Sequence, residues 1–267
     1  MLRDITLGQY YQTDSVIHRL DPRVKLVGTL LFIVSLFVVD NFIGYAIAAA
    51  FLLVVIKLSK VPFKFMVRGM KAIVFLLIIA VIFNLFLTPG EVVFSVWKIQ
   101  ITKEGIYLAS FMAIRLIFLI MGSSVMTLTT TPNQLTDGLE KLLNPLKIFK
   151  VPVHEIAMMM SIALRFIPIL LEETDKIMKA QIARGADFES GNLIKKAKSL
   201  VPLLVPLFIS AFRRANDLAT AMEARCYRGG DFRTKMKPLI YQKRDRWAYV
   251  VCWFYLSLCI IIGRVLL

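Results

Sequence analysis

The chain has 267 residues, of which 58% are hydrophobic, and its mean hydropathy is +0.69. Soluble domains contain about 45–50% apolar residues, so this composition excludes an ordinary soluble protein and indicates a membrane protein. Its 33 Lys and Arg outnumber its 18 Asp and Glu, for a formal net charge of +15. These basic residues lie beside apolar segments, which favours the positive-inside asymmetry of a membrane protein over nucleic-acid binding.

Residues 1–23 are predicted to form a cytoplasmic N-terminal segment. It ends in the sequence His18-Arg19-Leu20-Asp21-Pro22-Arg23. Asp21 is a good helix N-cap, and Pro22 suits the first helical position because its missing N–H would have no partner there. A capped helix start with a basic flank explains this segment without any further function.

Residues 24–131 are predicted to contain four transmembrane helices. The first two apolar runs are Val24–Val39 and Phe42–Ile56, both shorter than the ~20 residues expected of a span. They form either a tight hairpin of short spans or helices whose ends extend into the headgroup zone. Five basic residues between positions 57 and 71, with no acidic residue among them, place the next loop in the cytoplasm.

The third and fourth predicted spans are Met70–Leu87 and Ile106–Leu128, joined by an outer loop whose charges balance. Arg115 lies near the middle of the fourth span. Because an arginine in the membrane costs about 3 kcal/mol even on lenient scales, it normally faces protein or water. The functional interpretation is an intramembrane contact with another subunit or a watery groove. The alternative is an internal partner, such as a backbone carbonyl, or snorkelling outward.

Residues 132–246 carry 20 Lys and Arg against 12 Asp and Glu and are predicted to form cytoplasmic or interfacial coupling helices. One helical pattern is apolar as far as Leu171 and strongly charged after it. Its first half is therefore expected in or against the membrane, and its second half in water. A second helical pattern is likewise apolar at Leu200–Ala211 and charged after it. Pro202 and Pro206 are expected to kink this helix.

Residues 247–267 form the last predicted span, with Trp247 and Tyr249 at the inner interface. The predicted fold is thus an all-α membrane protein. It has about five transmembrane helices and, in addition, long amphipathic cytoplasmic coupling helices. The N-terminus is placed inside and the C-terminus outside.

The two long helical patterns end in nearly the same residues, Ala183-Arg184-Gly185 and Ala224-Arg225-Cys226. One such ending is consistent with a well-terminated helix, because glycine commonly stops helices and a cation suits the negative end of the dipole. Two endings about 40 residues apart favour a function. Small neighbours let an arginine enter a groove, where its five donors suit carboxylates and carbonyls. We interpret the pair as rods that plug into a partner supplying mechanical work.

With these features the sequence resembles the transmembrane T component of energy-coupling factor (ECF) transporters, which are vitamin and metal importers of the ABC class in prokaryotes. The resemblance covers the segment from His18 to Arg23, the spans, the basic inner helices and both arginine endings. It implies a multi-pass subunit of a prokaryotic cell membrane. That subunit links ATP hydrolysis by two separate ABC ATPases (A and A′ type) to uptake of a vitamin or other micronutrient. A membrane S component captures the substrate, and the ATPases rather than this chain bind ATP and Mg.

The resemblance also implies roles for particular residues. The docking arginines and their close neighbours are Ala183, Arg184, Gly185, Ala224, Arg225 and Cys226. Cys226 stands where the family usually has glycine, which leaves open how the second helix ends. One or more S components are expected on the apolar faces of the inner helices, where the flexible side chains of Met158, Met159 and Met160 suit a surface with several partners. Ordinary helix packing is the alternative for these methionines.

Other functions find less support in the sequence. No Walker A pattern is present, so the chain is not expected to hydrolyse ATP. A metal-dependent membrane protease would need histidine ligands near Glu172 and Glu173, yet only His154 lies in that region, and no metal site or other cofactor is expected. A self-contained channel or secondary transporter would have polar residues spread through several spans, and this chain has little beyond Asn84 and Arg115.

Overall fold

The structure is a computed structural model that describes residues 10–96, 99–186, 188, 193–230, 236 and 238–265. Parts of the predicted N-terminal segment, of the connector at 231–237 and of the last span (residues 266 and 267) lie outside the described residues. In chain order the elements are α1 (Pro22–Val38), α2 (Phe42–Ser59), α3 (Phe63–Leu87), β1 (Val92–Val96), β2 (Ile99–Thr102), α4 (Lys103–Thr129), α5 (Pro132–Leu143), a 3₁₀ helix (Asn144–Phe149), α6 (Val153–Ala183), α7 (Leu193–Ala224) and α8 (Lys243–Val265).

The chain divides into two compact units, with the boundary inside α5. The bundle unit contains α1 to α4, the two strands and α8. The long-helix unit contains the 3₁₀ helix, α6 and α7. Helices therefore dominate both units, which confirms the predicted class of an all-helical membrane protein.

A short β-hairpin interrupts the helices where only an outer loop was predicted. β1 and β2 pair antiparallel, with Val96 opposite Ile99. Valine is frequent in β1 and isoleucine in β2, and such β-branched residues fit a pleated strand better than a helix. The balanced charges of this region pair with each other, since Lys103 Nζ lies 3.0 Å from Glu91 Oε2.

The predicted N-cap of α1 is confirmed. It belongs to a larger hydrogen-bond network at the end of the bundle unit where α1 and α8 begin. Asp21 Oδ1 accepts a hydrogen bond from the Arg23 backbone N–H at 2.9 Å, and Asp21 Oδ2 lies 2.8 Å from Arg23 Nη2. The Asp21 backbone N–H donates to Asp245 Oδ1 on α8 at 3.0 Å, and Asp245 Oδ2 accepts from the Gln242 N–H at 2.7 Å. One buried carboxylate therefore joins the starts of two helices distant in sequence.

Burial alone would raise the pKa of the Asp21 carboxyl, but the hydrogen bonds and charge of Arg23 outweigh it and lower that pKa below its usual value. Asp21 therefore stays ionised at neutral pH. Arg23 also donates to the Leu239 carbonyl at 3.2 Å and lies over the Tyr241 ring at 3.7 Å. The predicted segment is thus a structural joint as well as a helix start.

The core of the bundle unit comes from one side each of α1, α2, α4 and α8. Its buried side chains are Phe32, Leu36, Val39, Tyr45, Ala48, Leu52, Phe111, Met121, Tyr255 and Cys259. Within this core, Ser35 Oγ and Tyr255 Oη share a hydrogen bond of 2.8 Å between α1 and α8. Lipid tails are as apolar as leucine, so close packing and such hydrogen bonds hold membrane helices together.

Four helices among the described residues are long and apolar enough to cross a membrane: α2, α4, α6 and Lys243–Arg264 of α8. α1 has 17 residues and the apolar part of α3 covers Ile73–Leu87, so both fall slightly short of this criterion. At 1.5 Å per residue α1 is about 26 Å long, near the ~30 Å hydrocarbon thickness. The cytoplasmic loop predicted at 57–71 is shorter than expected, because α3 already begins at Phe63.

Replacing Asp245 by alanine tests the joint between α1 and α8. Asp245 is 2% exposed, and its removal leaves the Asp21 and Gln242 N–H groups without their acceptor. The loss costs about 1–3 kcal/mol at the buried Asp21 N–H and less at Gln242, which is exposed. We expect Asp245→Ala to lower the thermal unfolding midpoint of the detergent-solubilised chain clearly. The control is Asp217→Ala, which removes an exposed carboxylate. Equal midpoints for the two variants would contradict the role given to Asp245.

Candidate functional site at two arginine-ended helices

α6 and α7 are the longest helices of the chain that the structure describes. They contain 31 and 32 residues, so each is about 46–48 Å long at 1.5 Å per residue. α6 follows Pro152 and continues through Pro168, and α7 continues through Pro202 and Pro206. The prolines at positions 202 and 206 therefore do not interrupt the helix that carries them.

A side chain of α6 compensates for one of these prolines. Pro206 has no N–H to donate to the carbonyl of Pro202, four residues earlier in α7. Gln181 Nε2 donates to this carbonyl at 3.3 Å. The helix carrying Pro206 is therefore linked to α6 one turn before Arg184.

Glu173 makes a second polar link between the two long helices. Its Oε1 accepts from Ser210 Oγ at 2.5 Å and its Oε2 from Arg214 Nη2 at 2.6 Å. A charge-assisted pair of this kind is stronger than a neutral hydrogen bond. The sequence did not predict these partners of Glu173, because they lie 37 and 41 residues further on.

The end of α6 is a Schellman motif, in which the residue after the helix has a positive φ. Arg184 is the C-cap, and Gly185 follows with φ +88°. The Ala186 N–H donates to the Gln181 carbonyl at 2.9 Å, and the Gly185 N–H to the Ile182 carbonyl at 2.9 Å. These two bonds satisfy carbonyls that the helix leaves without partners.

The end of α7 has the same geometry. The Tyr227 N–H donates to the Met222 carbonyl at 3.0 Å, and the Cys226 N–H to the Glu223 carbonyl at 2.8 Å. Cys226 has φ +55° and occupies the position that Gly185 has in the first motif. The departure from glycine therefore leaves the turn intact, although a residue with a Cβ costs about 1–2 kcal/mol in this conformation.

Both arginines lie at exposed helix ends. Arg184, Arg225 and their neighbours Ala183, Ala224 and Cys226 are exposed, and a Cβ added at Gly185 would meet no atom within 4 Å. Neither arginine belongs to any ion pair found between described residues. Each guanidinium is thus available to an external acceptor.

The chain that leaves α7 returns to the start of α6. A Cβ on Gly230 would lie 2.2 Å from the His154 ring, so only glycine permits this approach. His154 Nδ1 lies 3.0 Å from Glu140 Oε1. No metal site was expected at His154, because it is the one histidine in that region of the sequence. Within the described ranges no group of three or more His, Cys, Asp or Glu side chains could hold a metal ion.

α6 and α7 each expose an apolar stripe. On α6, Met159 is 57% and Met160 40% exposed, while Met158 is half-buried. On α7 the exposed apolar residues recur with helical spacing: Leu200, Val201, Leu204, Val205, Phe208, Ile209 and Phe212. A soluble monomer rarely exposes a patch of this kind, so it indicates contact with lipid or a protein partner.

Arg115 on α4 has partners inside the bundle unit. Its Nε donates to Tyr45 Oη at 2.8 Å, its Nη2 lies 3.0 Å from Asp40 Oδ1, and its guanidinium carbon is 5.4 Å from the centre of the Phe37 ring. The structure therefore places Arg115 against the break between α1 and α2.

The fold and site together define a class of protein. It is a multi-pass helical membrane protein that carries no ATP-binding motif in its sequence and presents two long helices with matching arginine ends. A family model described as CbiQ, cobalt transport protein, matches residues 13–237.

Full-length relatives carry the name energy-coupling factor transporter transmembrane protein EcfT. The relative from Thermosediminibacter oceani is 56% identical over 249 residues, 93% of this chain and 94% of its own length. The relative from Clostridium kluyveri is 57% identical over 265 residues (98% and 95%), and that from Bacillus subtilis is 46% identical over 246 residues (92% and 93%). The chain therefore belongs to the family of energy-coupling factor transporter transmembrane proteins, as a non-catalytic, multi-pass membrane subunit of a bacterial transporter.

Replacing Cys226 by glycine tests the strained turn at the end of α7. Glycine adopts positive φ without a Cβ penalty, so we expect amide hydrogen exchange in the last turn of α7 to slow by about fivefold, which corresponds to ~1 kcal/mol. Exchange measured by mass spectrometry checks this. Cys226→Ala is the matched control, since it removes the thiol and keeps the Cβ. An equal change in both variants would contradict the strain.

Proposed function

We propose that this chain transmits force between two ABC ATPases and one or more membrane S components. The observation that carries the proposal is the pair of matching helix ends, each with an exposed arginine at the C-cap and small residues around it. The two motifs are separated by about 40 residues. Each lies at the end of a long helix that changes from apolar to charged along its length. Each end would enter a groove of one ATPase, of the A or A′ type.

The chemistry of the helix ends suits such grooves. A guanidinium offers five donors in a planar fork, which match carboxylates and backbone carbonyls. Ala183 and Ala224 precede the arginines, so no large side chain obstructs entry. The ATPases would bind ATP and Mg, and the present chain would supply the mechanical contact.

The links between α6 and α7 would make the two ends move together. Glu173 joins Ser210 and Arg214, and Gln181 joins the Pro202 carbonyl. A displacement of Arg184 by one ATPase would therefore reach α7 through side-chain contacts. The apolar stripe of α6 would carry that displacement to an S component, with Met158, Met159 and Met160 among its contacts.

The charge pattern supports an orientation with the N-terminus, α6 and α7 on the cytoplasmic side. Lys57, Lys60 and Lys64 are exposed around the break between α2 and α3, and such clusters remain inside. We propose the organisation expected from the sequence: residues 1–23 cytoplasmic, 24–131 in four transmembrane helices, 132–246 in coupling helices and 247–267 in the last span.

Reversing both arginine charges tests ATPase docking. We expect Arg184→Glu with Arg225→Glu to abolish ATP-driven uptake and copurification of the ATPases, because glutamate repels the carboxylates that would receive arginine. The chain should still insert in the membrane and retain its S component. Uptake by reconstituted proteoliposomes and subunit stoichiometry are the measurements.

Lys176→Glu with Arg213→Glu is the matched control. Both residues are exposed on the same two helices, and the change of charge is equal. The control should keep its ATPases. Normal uptake by the variant with Arg184→Glu and Arg225→Glu, or equal loss of uptake in this variant and the control, would refute the docking assignment. Transport by the chain alone would instead favour a self-contained carrier.

Polar substitutions on the apolar stripe test the S-component surface. We expect Met159→Glu with Met160→Glu to release the S component while the ATPases remain bound, since a buried, unpaired carboxylate is strongly unfavourable at an interface. Met159→Leu with Met160→Leu conserves the apolar surface and should bind normally. Retention of the S component by the glutamate variant would exclude these methionines from the contact.

A further inference from the structure

The bundle unit contains an apolar cavity that the coupling function does not use. Its volume is about 760 Å³, and its walls come from α1, α2, α4, α8 and the segment before α1. Phe32, Leu52 and Val125 are buried on its walls, with 4% exposure each. The cavity is therefore a preformed space between packed helices.

One side of the cavity opens outward between α2 and α8. Val54 and Leu58 of α2 line it and are 56% and 44% exposed, and Val251 and Phe254 of α8 line it and are 52% and 69% exposed. Both helices are long and apolar enough to cross a membrane. Lipid tails would therefore have direct access to this opening.

The cavity is basic at one end. Lys25 near the start of α1 and Arg244 near the start of α8 both line it, together with Thr129 at the end of α4. Its opposite end is lined by Phe32 and Leu258 and is apolar. The space is thus amphipathic along its length, as a lipid is.

Lys25 carries a buried positive charge on the cavity wall. The residue is 7% exposed, and its Nζ donates to the Thr129 carbonyl at 2.8 Å and the His18 carbonyl at 3.1 Å. An ammonium has three donors. Neither Lys25 nor Arg244 is in an ion pair found between described residues. The Asp21 and Asp245 carboxylates attract the Lys25 ammonium, but neither is in an ion pair with it among the described residues. Arg244 adds a second positive charge on the wall, so this end favours an anion.

We propose that the cavity binds one acyl chain of an anionic phospholipid, whose phosphate lies at Arg244 and Lys25. Arg244 and Leu258 of α8 both line the space. The 14 residues of helix between them cover about 21 Å, comparable with the ~15 Å depth of one leaflet. The apolar walls exclude a free phosphate ion as the main occupant. This site is independent of the arginine-ended helices.

Native mass spectrometry of the delipidated full-length chain tests the site, with phosphatidylglycerol and phosphatidylcholine of identical acyl chains as probes. We expect the chain to retain one phosphatidylglycerol in preference to phosphatidylcholine. Arg244→Gln should weaken phosphatidylglycerol binding about fivefold, since one basic residue at the membrane surface contributes that much to binding anionic lipid. Arg246→Gln is the matched control, because Arg246 is exposed and does not line the cavity.

Two variants fill the space itself. Ala248→Trp on α8 and Thr29→Phe on α1 each add a large ring at a lining position and should reduce binding of both lipids, with thermal unfolding used to confirm folding. Equal binding of the two lipids, equal effects of Arg244→Gln and Arg246→Gln, or full retention of lipid by a folded cavity-filling variant would overturn the proposal. Displacement of phosphatidylglycerol by glycerol phosphate would show headgroup binding without the acyl chain and would also overturn it.

Discussion

Each long helix stops at one residue of positive φ, and this constraint fixes where its arginine lies. In the Schellman motif the residue before that turn is the helix C-cap, and in both helices the C-cap is arginine. The two turn bonds satisfy backbone carbonyls without using the guanidinium. Arg184 and Arg225 therefore end long helices with their donors available, and the proposed docking depends on this arrangement.

Two side-chain links make α6 and α7 a mechanical pair. The proline that removes a backbone donor from α7 leaves a carbonyl that Gln181 of α6 occupies. Glu173 binds two side chains of α7 from a single carboxylate. In the proposed mechanism, a force applied near Arg184 would reach the second helix through these short polar contacts. In the bundle unit Asp245 has a comparable role, since it joins the starts of α1 and α8.

Local patterns predicted the features that depend on neighbouring residues. The cap at Asp21 and Pro22, the long helices and the stop at Gly185 follow from rules that act within one turn. The partners of Arg115 and Glu173, and the contact of Asp245 with Asp21, could not be predicted, because they lie between 37 and 224 residues away in the chain. The hairpin was missed because the outer loop was predicted from its balanced charges alone, without regard to the β-branched residues of β1 and β2. The turn at Cys226 requires a non-glycine residue to adopt a positive φ. Residue patterns do not predict this, because they favour glycine at such positions.

The arginine endings were the most specific part of the resemblance to the family, and the family membership rests on identity along nearly the whole chain. The docking role itself is tested most directly at Cys226, an exposed thiol beside Arg225. The measurement is its alkylation rate by a water-soluble maleimide, in the isolated chain and in the chain assembled with its ATPases. The account predicts that assembly strongly protects Cys226, and likewise a cysteine placed at Ala183. An unchanged rate at both positions in an active transporter would contradict it.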